Sequence, residues 1–306
     1  FALAGVAMGI SILGGHPQTS MYLAYTSLAY LVYRTAGSRL PLRTTALGLV
    51  TFIVIGLGIA AVQVLPTLEF FRLSTRGAGI DYGAAGTGYT LSSLPGLLLD
   101  SWRRETALYI GAPTLVLVVA AWLKPRGQVV FWSVAAIVAL SVSLGQHGFL
   151  FPLLYSFVPG FTLFQDQERA MLVFSLAVGI LAALGCQSLV GMRTRLIPWR
   201  VLLPLAIAPL TAISAGVCLA WYRSPAFDLS VAIWSSWVRL SLLIIVCLAV
   251  MLWWLRSNHP SWLLGSALVL LVTVEMFAVN FGNNMSPANP LPPTELLTAV
   301  SALREH

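Results

Sequence analysis

The chain has very little charge for its length. Only 9% of its 306 residues are Asp, Glu, Lys or Arg, whereas 58% are hydrophobic. A soluble domain of this size would alternate apolar stripes with charged faces along its helices and strands. Here the charged residues are confined mostly to short connectors between apolar runs, so the composition excludes an ordinary soluble domain.

Cysteine and familiar catalytic motifs are also scarce. The three cysteines, Cys186, Cys218 and Cys247, each lie within an apolar run and have no partner at metal-ligand spacing, so we expect small packing residues. The sequence has no HExxH, no C-x-x-C-H and no Ser, His and Asp set in one region, which argues against zinc-peptidase, haem and serine-hydrolase chemistry. It also lacks the row of buried acids found in proton-coupled pumps.

Acidic residues are missing from every second connector between the apolar runs. Those connectors hold nine basic residues, namely Arg34, Arg39, Arg43, Lys124, Arg126, Arg193, Arg195, Arg200 and Arg256. An excess of Lys and Arg marks the cytoplasmic side of a membrane, so the acid-bearing connectors are predicted to face outward. The net charge of +7 then reflects topology, and no nucleic-acid partner is expected.

What the chain does have is a series of apolar runs of helix length. A helix needs roughly 20 apolar residues to cross a hydrocarbon core of ~30 Å, so the runs predict an all-α, polytopic transmembrane helix bundle. The nine predicted helices cover residues 1–14, 18–34, 44–68, 107–123, 128–144, 167–190, 201–221, 231–255 and 261–281. Residues 1–282 are thus predicted to form the bundle, with external loops at 69–106 and 145–166.

The two ends of the chain indicate a piece of a longer membrane protein. Phe1 opens inside an apolar run, without the charged region or cleavage site of a signal peptide. Residues 283–306 include four prolines between Pro287 and Pro293. We expect an external, Pro-rich tail that leads to a C-terminal domain beyond this chain.

Two stretches of the external loops have unusual compositions. Residues 77–88 hold five glycines but lack the GxxxxGK[ST] spacing of a phosphate-binding loop, so a mobile loop is predicted. Residues 149–164 are apolar, but they are too short to span a membrane and are broken by Pro152 and Pro159. They predict an interfacial or re-entrant helix.

Polar side chains at the predicted outer surface form the first candidate sites. The sequence GGHPQ, with His16 and Gln18, lies between the first two helices, either as a tight turn or as the polar lining of an outward cavity. Glu69 lies at the end of the third helix, where Arg72 at i+3 is placed to pair with it. This pair is either a solvated helix end or part of a pocket at membrane level.

Charged residues near three later helices form the other candidates. Arg103 and Arg104 precede the fourth helix, as part of a solvated face or as ligands of a lipid phosphate. Asp166 and Arg169 open the sixth helix, where Asp166 suits the N-cap and Arg169 adds a cation to a phosphate-binding helix end. Apart from Glu168 in the first turn of the sixth helix, Glu275 is the one acid inside a predicted span, where we expect structural pairing or cavity lining.

Several short motifs follow one another in an order that resembles the YfhO-like bacterial membrane proteins, within the wider GT-C glycosyltransferase group. The motifs are GHPQ at 15–18, LPTLE at 65–69 with Ser74 and Arg76 after it, YIG at 109–111, PGF at 159–161 with Phe164 and Arg169 after it, and NP at 289–290. The similarity extends over nearly the whole chain and depends on the order of the motifs. At Gln165 the chain departs from the family, which often carries an Arg there, so only Arg169 is left for a phosphate clamp.

The resemblance implies an integral membrane glycosyltransferase of the bacterial cytoplasmic (inner) membrane. Members transfer a sugar from a polyprenyl-phosphate donor to an acceptor at the extracytoplasmic face, so membrane lipids and the lipid-linked sugar are the implied partners. The family's catalytic acid lies in a loop that would precede Phe1, so no catalytic residue is assigned. No resident cofactor is implied, and a divalent metal stays open. The implied substrate-binding residues are His16, Gln18, Glu69, Arg72, Arg76, Arg103, Tyr109, Asp166 and Arg169.

Two other functions stay open on the sequence. A non-catalytic scaffold or accessory subunit of a larger membrane protein complex would present an exposed apolar stripe to a partner. A transporter would show broken helices at the bilayer midplane and inverted repeats. Here the Pro and Gly breaks cluster near the predicted outer surface instead.

Overall fold

The computed structural model describes residues 1–38, 41–74, 77, 79–99, 108–190, 227–256 and 261–284. These residues form helices and turns without any β-strand, which confirms the all-α class. The described α-helices are α1 (Ala2–Leu13), α2 (Pro17–Ala36), α3 (Leu42–Leu73), α4 (Tyr82–Ala85), α5 (Ala112–Ala121), α6 (Gly127–Ser143), α7 (Phe151–Phe157), α8 (Met171–Val190), α9 (Phe227–Arg256) and α10 (Ser261–Asn284). Short 3₁₀ helices occur at Leu91–Leu97, Gly145–His147 and Gln167–Ala170.

Local chemistry explains how these helices start and how they tolerate polar residues. Pro17 in α2, Pro113 in α5 and Pro152 in α7 each occupy one of the first two helical positions, where the fixed φ fits and no N–H is needed. Inside the helices, hydroxyls bond back to the preceding turn, as Thr35 does to Leu31 O at 2.8 Å. Such hydroxyls add no unpaired polar group to an apolar surrounding.

Three described helices are long and apolar enough to cross a membrane, at Leu42–Leu73, Gln167–Val190 and Trp262–Val279. This finding corrects the expectation of nine spans. α1 has 12 residues and α5 has 10, which at 1.5 Å per residue gives about 18 and 15 Å, short of a ~30 Å core. α2 has the length, but Ser, Thr, Tyr and Gln make it too polar. The predicted helix 201–221 and the tail from residue 285 lie outside the described residues.

α8 lies at the centre of the described bundle. It is apolar on all sides, and half of its most apolar stretch is buried. On one side Phe174 packs in a core with Trp132 of α6, and on the other Leu189 packs in a second core with Leu117 of α5 and Leu268 of α10. The residues that precede α8 are therefore held at a fixed end of the bundle.

α1 and α3 pack against each other through small residues. A Cβ atom on Gly5 or Gly9 of α1 would lie 2.8 Å from Phe52 O or 2.9 Å from Gly56 O of α3, so the two backbones are in close contact. Only 22% of the apolar stretch of α3 is buried. The rest of its surface is suited to contact with acyl chains in a bilayer.

Candidate functional site

The start of α2 and the turn that precedes α8 meet through the side chain of Gln18. This amide is 1% exposed, and its Nε2 donates to Gln165 O at 2.6 Å and to Asp166 O at 3.3 Å. Its Oε1 accepts a hydrogen bond from Arg169 Nη1 at 2.7 Å. The structure thus brings together three of the residues that the sequence predicted for the site, Gln18, Asp166 and Arg169.

The guanidinium of Arg169 is held from two sides but still reaches solvent. Its Nη2 lies 3.0 Å from Asp166 Oδ2 in an ion pair, and the two side chains are 40% and 42% exposed. A guanidinium has five N–H donors, and these two contacts use two of them. The other three donors have no partner in the described part of the chain, which leaves them available to an anion.

Gln167 also fixes this arrangement, through hydrogen bonds made by its buried side chain. Its side chain is fully buried, its Oε1 accepts from Tyr22 Oη at 2.6 Å, and its Nε2 donates to Ala85 O at 2.8 Å and Phe164 O at 3.0 Å. All of these groups are polar and buried or half-buried, so each bond prevents an unsatisfied group. Sequence reasoning missed Gln167 and Tyr22, although an amide next to an apolar run is costly unless it is paired.

Asp166 lies at the predicted N-cap position, ahead of the 3₁₀ turn that leads into α8, but its side chain does not cap that turn. It has φ 58° and ψ 64°, the left-handed conformation that Asp tolerates better than most residues. Its carboxylate makes no cap hydrogen bond and pairs with Arg169 instead. Thr87 Oγ1 accepts from the backbone N–H of Asp166 at 2.8 Å. We call Gln18, Tyr22, Thr87, Asp166, Gln167 and Arg169 the polar cluster.

The Gly-rich segment around Thr87 is pinned to the bundle, whereas the sequence predicted a mobile loop. Gly86 O accepts from Gln146 N at 2.8 Å, and Tyr89 N donates to Ser143 O at 2.9 Å. Gly145 has φ +51°, and a Cβ there would collide with Gly86 O. The composition could not show these long-range bonds.

Burial, and then the negative charge of Glu168, raise the pKa of Tyr89, so its phenol stays neutral.

An apolar groove adjoins the polar cluster. It has a volume of about 380 Å³ and is lined by residues of α2, of α6, and of α7 and the turn that follows it. Its lining includes Val134 and Val138 of α6, which are 54% and 44% exposed, so the groove is open to the outside of the bundle. Tyr22 lines the groove while its hydroxyl belongs to the polar cluster, and Ala170, next to Arg169, lines it as well.

Tyr109 belongs to a different part of the molecule. Its hydroxyl donates to Glu275 Oε1 at 2.6 Å, and the backbone N–H of Ala112 donates to the same atom at 3.1 Å. Glu275 is 5% exposed, and this acid, for which no partner could be predicted from the sequence, is held by Tyr109 and the start of α5. A cavity of about 410 Å³ between α5, α8 and α10 lies beside Tyr109. Tyr109 is thus a hydrogen-bond partner of Glu275, which is a structural role.

The other predicted site residues are not drawn into the polar cluster. His16 is exposed at the N-cap of α2 and makes no side-chain cap bond. Glu69 and Arg72 are exposed at the end of α3, and the ion pair predicted between these two described residues is not formed. Arg76 and Arg103 lie outside the described residues. Among the described side chains, no three of His, Cys, Asp or Glu are grouped as metal ligands.

Comparisons of the chain with protein-family models, with curated proteins and with solved structures found no match. The resemblance to YfhO-like membrane proteins therefore stays a prediction. The features of this chain that bear on its function are the polar cluster, the apolar groove beside it, and the three helices that are suited to a membrane.

Proposed function

We propose that this chain is part of a membrane-embedded glycosyltransferase of GT-C type, which takes a sugar from a polyprenyl-phosphate donor at the extracytoplasmic face of the bacterial cytoplasmic membrane. In this proposal the three helices that are long and apolar enough to cross a membrane anchor the chain in the bilayer, and the shorter apolar helices pack beside them. The end of the bundle that carries the polar cluster faces outward, because the opposite connectors are rich in Arg and Lys and free of acids.

The observation that carries the proposal is that Arg169 adjoins the apolar groove, because its neighbour Ala170 and its polar-cluster partner Tyr22 both line it. A polyprenyl phosphate has a phosphate head and a long hydrocarbon chain. A guanidinium with three N–H donors available within the described structure suits the phosphate oxygens, and the groove beside it suits the chain. The two halves of the site thus match the two halves of one lipid.

The polar cluster can contribute to sugar transfer through charge stabilisation. When the sugar leaves, negative charge builds up on the carrier phosphate, and a cation fixed next to it lowers the barrier. Gln18 and Asp166 fix Arg169 in place beforehand. Asp166 is engaged with Arg169, so we assign it to positioning, and the base that activates the acceptor is not assigned to any residue described here.

The test is native mass spectrometry of the full chain purified in mild detergent. We expect a co-purifying polyprenyl-phosphate species, whose occupancy falls about tenfold or more in Arg169→Gln, because hydrogen bonds to a charged group contribute ~1.5–3 kcal/mol. Arg43→Gln is the matched control, since Arg43 is an exposed arginine at the start of α3, on the predicted cytoplasmic side.

Other outcomes separate the alternatives. If no lipid is bound and a stoichiometric protein partner is found instead, the accessory-subunit function replaces the transferase. Equal lipid occupancy in the Arg169→Gln and Arg43→Gln variants would remove Arg169 from the site and contradict the observation on which the proposal depends.

A further inference from the structure

The short helix α7 is attached to the bundle by its inner face. Phe151 is completely buried, and its ring lies 5.3 Å from that of Tyr82. Tyr155 donates its hydroxyl to Ile80 O at 2.9 Å. These contacts tie α7 to the Gly-rich segment at Ile80 and Tyr82, so the orientation of its opposite face is fixed.

The outer face of α7 is a stripe of large apolar side chains. Phe149, Leu153 and Phe157 are 79%, 55% and 80% exposed. Their spacing of four residues places Leu153 and Phe157 on one face of the helix, with Phe149 one turn ahead. An apolar stripe of this kind on a seven-residue helix is not a solvated surface and calls for an apolar contact.

The stretch of sequence that carries the stripe is free of charged residues. Between His147 and Asp166 the sequence has no Asp, Glu, Lys, Arg or His. Ser156, exposed next to the stripe, donates its hydroxyl to Pro152 O at 2.8 Å within the helix. The polar residues at both ends of this stretch, His147 and Asp166, mark where contact with water resumes.

The stripe also continues an apolar surface that belongs to the bundle. Leu154 and Val158 from the α7 segment line the groove together with the exposed Val134 and Val138 of α6. α8, which packs against α6 and lines the groove with Val173, is one of the helices suited to cross a membrane. The surface that would meet acyl chains along α6 thus extends around the groove to α7.

We propose that Phe149, Leu153 and Phe157 insert into the outer leaflet at the boundary between headgroups and acyl chains, so that α7 lies in the membrane interface beside the groove. Amphipathic helices of this kind lie with their apolar face ~5–10 Å into that boundary. The groove then opens sideways to the hydrocarbon, with Arg169 at headgroup level. This goes beyond the proposed function, because it concerns any bilayer lipid whether or not a sugar is transferred.

The test is site-directed spin labelling of the full chain in nanodiscs of phosphatidylethanolamine and phosphatidylglycerol. In a Cys186→Ala, Cys218→Ala, Cys247→Ala background, single labels are placed by Leu153→Cys and Phe157→Cys. His147→Cys is the matched control, because it is an exposed residue just ahead of the stripe. We expect labels at 153 and 157 to collide several-fold more with oxygen than with a water-soluble nickel chelate, and the label at 147 to show the reverse.

Two results would overturn the proposal. Nickel collisions at 153 and 157 as frequent as at 147 would place α7 in water, and low collision rates with both reagents would show that a protein partner covers the stripe. Should the cysteine-free background fail to fold, a photoactivatable phosphatidylcholine can be cross-linked to the unmodified chain. Adducts on the peptide that carries residues 149–157 are then expected, and their absence overturns the proposal as well.

Discussion

At the scale of single residues, the position of Arg169 is set by two neighbours that are themselves fixed. Gln18 accepts from Arg169 Nη1 while its own Nε2 bonds to Gln165 O, and Asp166 takes Nη2. A flexible arginine would lose conformational entropy when it binds a phosphate. Here part of that loss has already occurred in the folded protein, so binding retains more of the interaction energy.

The role of Gln18 predicts a loss of lipid phosphate binding when its amide is removed. Gln18→Leu keeps the size of the side chain but deletes both the acceptor for Arg169 and the donor to Gln165 O. We expect the affinity for polyprenyl phosphate to fall about threefold to tenfold, in line with ~0.5–1.5 kcal/mol for one net hydrogen bond. Titration followed by native mass spectrometry measures this. Gln63→Leu on α3 is the control, and an equal loss there would count against the positioning role.

Glu275 and Tyr109 are predicted to be energetically coupled. Tyr109→Phe removes a 2.6 Å hydrogen bond to a buried carboxylate, which we expect to cost about 1–3 kcal/mol of unfolding free energy. In a Glu275→Gln background the same change should cost less, because the carboxyl group that accepts the Tyr109 hydrogen bond is no longer present. A double-mutant cycle by denaturation in detergent measures the coupling. Additive effects of the two changes would show that the hydrogen bond does not stabilise the bundle.

At the scale of elements, the junction before α5 depends on a glycine. Gly111 has φ +82°, and a Cβ there would lie 2.6 Å from Glu275 Oε2. Gly111→Ala should therefore lower the unfolding free energy by about 1–3 kcal/mol from its backbone conformation alone, because positive φ with extended ψ is essentially restricted to Gly. Gly58→Ala on α3 is the control, because nothing lies within 4 Å of its added Cβ and Ala favours helix. A lower Tm for both variants would argue against a special role of Gly111.

The helices themselves could largely be predicted from the sequence. The predicted runs 18–34, 128–144 and 261–281 agree with α2, α6 and α10 to within three residues at each end, because hydrophobic periodicity is a local property of the chain. The number of membrane spans could not be predicted in this way. Length and hydropathy of each helix depend on where it ends, and α5 is shorter than its apolar run.

At the scale of the whole molecule, the site depends on contacts between distant parts of the chain. Gln18 and Gln165 are 147 residues apart, and Gln167 and Ala85 are 82 residues apart. The sequence predicted His16, Glu69 and Arg72 for the same site, but no local pattern states which helix ends are neighbours. α6 packs against α8, and α2 lies beside them. This packing brings together Gln18, Asp166 and Arg169 out of the site residues that the sequence predicted.

The central claim is that one lipid occupies both the polar cluster and the apolar groove, and a groove-filling variant tests it most directly. Val138→Trp adds a large ring to the groove wall without touching Arg169. Val130→Trp, on the same helix and exposed but outside the groove, is the control. In titrations of the full chain with a long-chain polyprenyl phosphate, we predict that Val138→Trp and Arg169→Gln each weaken binding about tenfold or more while Val130→Trp does not. Unchanged binding in Val138→Trp would contradict the account.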